Sequence, residues 1–220
     1  MFYCCTPKKF AMKILIADDH TIVRQGVKML LTEAYPSVEV KDVSDSASVV
    51  REAASGGWDA IICDISMPPG DSGLEATKLI KESSPKTPVI ILSMYSPDQY
   101  ALRAIKAGAM GYLTKSVAAL ELVKAVNCVI SGKKYLSEDV AYLLADAMEN
   151  GNRDRSIEHL SDREFEVLKL LASGKCVADI AKELGLSSNT ISTFRLRIFE
   201  KMGFHNNLEL VKYGIDNKLV

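Results

Sequence analysis

The segment from Ala60 to Gly73, A-I-I-C-D-I-S-M-P-P-G-D-S-G, limits what this chain can fold into more than any other. Four apolar residues run into Asp64, and a turn rich in Pro, Gly and Asp follows. A short apolar run bounded by turn residues reads as a strand buried on both faces, as in a parallel sheet. Asp64 then stands at the strand's carboxyl end, where open α/β sheets keep their chemistry. A carboxylate there can be idle, bind a metal or act as a nucleophile. Partners arriving from other strand ends decide among these.

The segments before and after it alternate. K-I-L-I-A at residues 13–17 is a strand that ends on Asp18, Asp19 and His20. Ile22, Val23, Val27, Leu30 and Leu31 recur at helical spacing until Pro36. A half-buried strand is expected over 38–43, a helix over 46–55 closed by Gly56-Gly57, and a helix over about 74–83. Residues 89–92 form a strand that ends on Ser93. Ser96-Pro97-Asp98-Gln99 then starts a helix with a serine cap and a proline in the first turn. Residues 111–114 form a last strand ending on Lys115, and a helix over 117–131 carries Leu120, Val123, Val126, Val129 and Ile130 on one face. Five such alternations predict a doubly wound α/β domain, a five-stranded parallel sheet covered by helices on both faces. Asp18, Asp19, Asp64, Ser93 and Lys115 all fall at strand ends and converge on one edge.

These residues, in the motifs I-L-I-A-D-D-H, D-I-S-M-P, I-I-L-S and G-Y-L-T-K-S, resemble the receiver domain of two-component response regulators over residues 12–131. The resemblance implies a CheY-like, flavodoxin-like fold in which Asp64 accepts a phosphoryl group from a histidine kinase or phosphotransfer protein. It implies Mg2+ held by Asp18, Asp19, Asp64 and the Ser66 backbone carbonyl, a hard oxygen set that suits this ion. Lys115 would neutralise charge on the transferring group and Ser93 would donate to it. Tyr112 matches the aromatic switch position and would move inward as Ser93 is drawn toward the phosphate. Ser66 and Tyr95 flank the approach of an attacking water. Two departures stand out: the turn after Asp64 is one residue longer than the common M-P-x-x-x-G form, and Ser116 stands where many relatives have proline. His20 is read as a surface residue, and Cys63 as a small core residue.

The chain then changes character. Residues 1–11 read as an extension outside the fold, and residues 132–157 as a helix with Val140, Leu143 and Leu144 on one face plus the polar linker E-N-G-N-R-D-R-S. From 158 to 220 only helical patterns remain. Ser161 and Glu164 form a capping box ahead of Phe165, Leu168 and Leu171. Ile180, Ala181 and Leu184 line a second helix, and Ile191, Phe194, Ile198 and Met202 a third capped by Ser187. Asn206 and Glu209 box a last helix with Leu208, Val211 and Ile215 inward. Two short helices joined by a glycine-containing turn make a helix-turn-helix. The patterns L-S-D-R-E-F-E-V-L, I-A-K-E-L-G-L-S-S-N-T-I-S-T-F and K-M-G resemble the LuxR/NarL-type DNA-binding domain. The whole chain is thus similar to NarL/FixJ-type response regulators. The resemblance puts Ser188, Asn189, Thr190, Ser192, Thr193, Arg195, Leu196, Arg197 and Lys201 toward double-stranded DNA. Of these, Ser192, Thr193 and Leu196 would read base edges, and the cations would meet phosphates. The charge of this helix is modest, which predicts weak, salt-sensitive monomer binding and a homodimer on paired half-sites.

Composition narrows the rest. A net charge of -1 gives no global attraction to nucleic acid or membrane, so any such surface is local. No apolar run reaches the roughly 18 residues of a spanning helix, so no membrane partner is expected. Five cysteines without C-x-x-C spacing fit a reducing cytoplasm. An aspartyl-phosphate phosphatase competes as a reading, but it wants a second Asp two residues after the nucleophile, and Ser66 stands there. No catalytic activity beyond self-phosphorylation and dephosphorylation is expected. A receiver acting only as a phosphate-independent interaction module is the third reading, against which the helix-turn-helix weighs.

Overall fold

The structure, a computed structural model, describes residues 11–67, 72–149, 157, 159–217 and 219–220. Most of the expected extension, the Pro-Pro-Gly-Asp turn at 68–71 and most of the linker lie outside the described residues. Five parallel strands, β1 (Lys13–Ala17), β2 (Glu39–Val43), β3 (Ala60–Cys63), β4 (Val89–Ser93) and β5 (Gly111–Thr114), are ordered β2-β1-β3-β4-β5. Between and after them come α1 (Thr21–Ala34), α2 (Ser46–Ser55), α3 (Gly73–Ser83), α4 (Pro97–Lys106) and α5 (Ala118–Ile130). This is the doubly wound sheet expected from the alternation of short apolar runs with amphipathic helices.

Successive strand residues face opposite sides, so the core splits in two. Ile14, Ile16, Ile62, Ile90, Leu92 and Leu113 pack under α1 and α5. Leu15, Ile61, Cys63, Val89, Ile91 and Tyr112 face the other side, toward α2, α3 and α4. The helix faces correct several expectations. Ile22 on α1 and Leu120 and Ile130 on α5 are exposed, while Val27, Leu31, Leu122, Ala125 and Val129 take the buried positions. Apolar spacing located each helix without fixing its rotation, because both helices carry more apolar residues than one face can bury. Ser96 precedes α4 with Pro97 at the first turn, but its side chain makes no cap hydrogen bond.

Helix α6 (Glu138–Glu149) packs on α4 with Val140 fully buried. The C-terminal module comprises α7 (Asp162–Ala172), α8 (Val177–Leu184), α9 (Ser188–Met202) and α10 (Asn207–Asp216). The Ser161/Glu164 capping box is formed, with each residue's side chain accepting from the other's backbone N–H. In α10, Leu208 and Ile215 are exposed, and Leu210 with Gly214 makes the buried contact. Gly214 is required there: a Cβ would lie 2.5 Å from the Ala172 Cβ on α7.

The two modules are docked. Helix α7 lies against the α3–α4 side of the receiver-like module, and the apolar cluster on that side continues into Phe165 and Leu168. Tyr100 meets Phe165 edge-on at 5.2 Å between ring centroids. Buried Asp162 takes Lys78 at 3.0 Å and Arg103 at 3.1 Å. The same Arg103 guanidinium donates to the carbonyls of Ile157 and Leu160 and lies 4.3 Å over the Phe165 ring. Lys169 extends from α7 into a cage made by Tyr95 and Tyr100, its Nζ 2.7 Å from Gln99 Oε1. Burial pushes its pKa down to about 8.

Overpacking of this kind costs about 1–3 kcal/mol. Gly214→Ala is therefore expected to lower the stability of the full chain by that amount in urea unfolding, and an unchanged midpoint would refute the close approach.

Candidate functional site

The parallel ladder carries on one residue beyond three strands and so aligns the polar residues at its edge. The Asp18 N–H donates to the Val43 carbonyl at 3.2 Å, Asp64 N–H to Ala17 at 2.8 Å, and Lys115 N–H to Ser93 at 2.7 Å. Three strand ends on one edge are thereby brought level, with Asp18 beside Asp64 on neighbouring strands and Lys115 reaching across from β5. Asp18, Asp64 and Ser93 are buried, Asp19 is partly so, and the Lys115 side chain is only 8% exposed. Lys115 Nζ lies 2.7 Å from Asp64 Oδ2 and 2.7 Å from Asp18 Oδ2. One ammonium thus bridges two buried carboxylates.

Electrostatics follow from that geometry. Burial pushes the Asp64 carboxyl up to about 6; the Lys115 charge and hydrogen bond oppose this, and neighbouring Asp18 adds to it. Asp64 Oδ1 also accepts from the Ile65 N–H at 2.7 Å, which favours the ionised form. Gly73 sits so close behind the site that a Cβ would fall 1.7 Å from the Asp64 carbonyl oxygen, and its N–H donates to the Ile65 carbonyl at 2.7 Å. The glycine of the motif therefore lets the start of α3 press against the loop that begins at Asp64. Cys63 is fully buried with its thiol pushed up, as a core residue should be.

The carboxylates also test the fit of a cation. Asp18, Asp19, Asp64 and His20 each offer a ligand atom, all within 4.8 Å of one another. Asp18 Oδ2 and Asp19 Oδ1 are buried without a well-directed hydrogen bond, although Lys115 and His20 stand close to them. Buried, under-satisfied carboxylate oxygens in a mainly oxygen set fit a hard divalent ion such as Mg2+. His20 is the member of this cluster that the sequence reading left out. Its position straight after the two aspartates was the available signal. Arg24, whose Nη1 donates to the Asp18 carbonyl, is a second supporting residue that went unread.

The remaining positions divide. Ser93 is buried and its Oγ accepts from the Tyr95 N–H at 3.2 Å. Tyr112 is 1% exposed, and its hydroxyl donates to the Tyr95 carbonyl at 2.8 Å. The ring is already inside, so the inward movement implied by the resemblance has no outward starting point in this structure. Ser66 points its hydroxyl across the module boundary to Glu166 Oε1 at 3.2 Å. Ser116 pairs its hydroxyl with Thr114 Oγ1 at 2.8 Å.

On the C-terminal module, Ile191 and Ile198 root α9 in the core, and Ser188, Asn189, Ser192, Thr193, Leu196 and Arg197 are exposed along it. Docking covers α7 and leaves this face open. Thr190 is half-buried and bonds to the Ser187 cap through its hydroxyl and its N–H. Two of the expected phosphate-contacting cations are engaged within the module. Lys201 Nζ donates to buried Glu164 at 2.6 Å, and Arg195 donates to Asn207 Oδ1 at 2.9 Å while lying over Phe199.

Because Lys115 holds the Asp64 pKa down against burial, Lys115→Ala is expected to move the Asp64 titration upward from about 6 in metal-free protein. Carboxyl NMR reads this directly, and an unchanged or lower value would contradict the bridging role.

Comparison with known proteins agrees with this geometry. Residues 14–127 match the response regulator receiver domain, and residues 158–213 match the bacterial regulatory proteins of the luxR family. The oxygen regulatory protein NreC of Staphylococcus epidermidis is 34% identical over 216 residues, covering 95% of this chain and 99% of that one. The NreC of Staphylococcus haemolyticus is likewise 34% identical, over 215 residues, with the same coverage of both chains. Among solved structures, RcsB from Salmonella enterica serovar Typhimurium, bound to promoter rprA in the presence of phosphomimetic BeF3-, is 30% identical. That comparison covers 92% of this chain and 98% of the other, with a TM-score of 0.60. A receiver domain whose carboxylates and lysine meet at one sheet edge, followed by a luxR-family module, makes this chain a member of the NarL/FixJ-type two-component response regulators.

Proposed function

We propose that this protein is a phosphorylation-controlled transcription regulator in which Asp64 accepts a phosphoryl group from a histidine kinase or a phosphotransfer protein. The observation that carries the reading is the Lys115 ammonium held 2.7 Å from both Asp64 and Asp18. A nucleophilic carboxylate needs positive charge nearby where the transferring group develops negative charge. In the proposed step an Asp64 oxygen attacks phosphorus, the P–N bond to the donor histidine breaks, and the product is an acyl phosphate. Lys115 and the Ser93 hydroxyl meet the phosphoryl oxygens. Asp18, Asp19, Asp64 and the Ser66 carbonyl are the proposed Mg2+ ligands. The ion's chemistry there is neutralisation of phosphoryl charge.

The output is binding to double-stranded DNA by residues 158–220, controlled by the receiver at 12–131. RcsB has been captured with DNA and as dimers on DNA, which supports DNA as the target and a homodimer as the binding form. In this reading Ser192, Thr193 and Leu196 meet base edges, and Ser188, Asn189 and Arg197 lie along the same exposed face. Arg195 and Lys201 reach phosphates by exchanging their internal partners. With DNA as the target, the proposed compartment is the cytoplasm. Ser66 in place of a second carboxylic acid weighs against a phosphatase, so the proposed chemistry is confined to the protein's own aspartate.

Intact-mass measurement after acetyl phosphate and Mg2+ is expected to show one added phosphoryl on the wild type and none on Asp64→Ala, with dimerisation and tighter promoter binding in the wild type only. Equal promoter binding by phosphodonor-treated wild type and Asp64→Ala would reject the control. Arg197→Ala is expected to weaken binding uniformly across sequences and to reduce the slope of log K against log salt by about 1. A change confined to one base position would contradict a phosphate role.

A further inference from the structure

Within the docked structure, the C-terminal module supplies a charged residue to the surroundings of Asp64. Glu166 on α7 is 4% exposed. Its Oε1 accepts from the Ser66 hydroxyl at 3.2 Å, and its Oε2 accepts from Arg163. Ser66 is two residues from Asp64. The other acids on the same stretch of α7 are differently engaged: Asp162 is paired with Lys78 and Arg103, and Glu164 with Lys201. Tyr95 feels the charge of both carboxylates. Burial first, and then the Glu166 and Asp64 charges, push its phenol up.

We propose that Glu166 is the group through which docking of the DNA-binding module and phosphorylation of Asp64 exclude each other. The inference rests on Asp64 being the phosphoacceptor. Two physical effects act at this one place. A phosphoryl group adds roughly one to two negative charges in a site of low dielectric, and Glu166 is the α7 carboxylate that docking brings to Ser66. The Ser66 hydroxyl also has a single proton to donate. In the docked state that proton goes to Glu166, so a phosphoryl oxygen can take it only when Glu166 withdraws.

The docked state has another local weakness. The Tyr100 hydroxyl is buried in the same interface without a hydrogen-bond partner, although its ring packs well. Coupling between two sites is reciprocal. If phosphorylation loosens docking, docking must disfavour the phosphorylated form by the same free energy. The rate falls as well because the Glu166 charge already opposes the negative charge developing on the transferring group. The inhibitory contact is then the charge on α7 next to the phosphoacceptor, while the exposed face of α9 stays uncovered.

The test uses full-length wild type, Glu166→Gln, Glu166→Asp and Asp64→Ala. Each is treated with acetyl phosphate and Mg2+ and followed by intact mass for phosphoryl gain. Peptide mass spectrometry after an amine-reactive ester follows Lys169, whose ammonium is caged between receiver rings only while the modules are docked. In wild type, Lys169 labelling should rise with phosphorylation. Glu166→Gln keeps the shape without the charge: it should gain phosphoryl about five- to tenfold faster, with Lys169 protected before and after. Glu166→Asp keeps the charge and should undock on phosphorylation as the wild type does. A Gln variant phosphorylated at the wild-type rate, or one that exposes Lys169 on phosphorylation as wild type does, would overturn the proposal. Lys169 exposed in the Gln variant before any phosphodonor would also overturn it, since the charge would then be serving docking itself. Phosphoryl gain by neither wild type nor the Gln variant, or gain by Asp64→Ala, rejects the phosphoacceptor reading and with it this proposal.

Discussion

The rest of this structure depends on one buried ammonium. Lys115 leaves the end of β5, crosses β4 and settles between Asp64 and Asp18 at the ends of β3 and β1. Two carboxylates this close and this well buried repel each other and lose hydration, and an ion between them offsets both costs. The sheet supplies the alignment: backbone hydrogen bonds from Asp18, Asp64 and Lys115 to neighbouring strands carry the ladder past its regular ends. The edge carries more negative charge than one lysine neutralises, a surplus that suits a further cation.

The second constraint is the approach of α3. With no side chain at position 73, the helix start presses against the carbonyl of Asp64 and the loop from Ile65 is tied down by a 2.7 Å hydrogen bond. That loop then presents Ser66 outward, at the surface where the second module docks. Asp64 and the module boundary are therefore mechanically close, separated by two residues of backbone.

Docking itself is a mixed interface. Phe165 against Tyr100 and Arg103 contributes apolar burial, and Asp162 is satisfied by Lys78 and Arg103 from two different helices. Removing one partner of a buried pair like this strands a charge and costs about 3–5 kcal/mol. Lys169 and Glu166 differ in kind. Burial works against the Lys169 cation while the ring faces and Gln99 favour it, and Glu166 reaches the Ser66 hydroxyl two residues from Asp64.

The amino-acid sequence by itself determined the strand order's raw material, the ends at which Asp18, Asp64, Ser93 and Lys115 stand, the capping box at Ser161 and Glu164, and the helix-turn-helix. Those features are local, written in apolar period, turn residues and caps. It left helix rotation open: Ile22, Leu120, Leu208 and Ile215 have the right spacing for a core and lie outside it. Periodicity locates an amphipathic helix, but where a chain holds more apolar residues than one face can bury, packing against a particular neighbour chooses the face. Tertiary structure alone decided that Tyr112 is already inside, that His20 joins the carboxylates, and that Lys201 is held by Glu164. It alone brought Glu166 to Ser66, 100 residues away along the chain. Such contacts depend on how two separately folded surfaces meet, which no window of local sequence encodes.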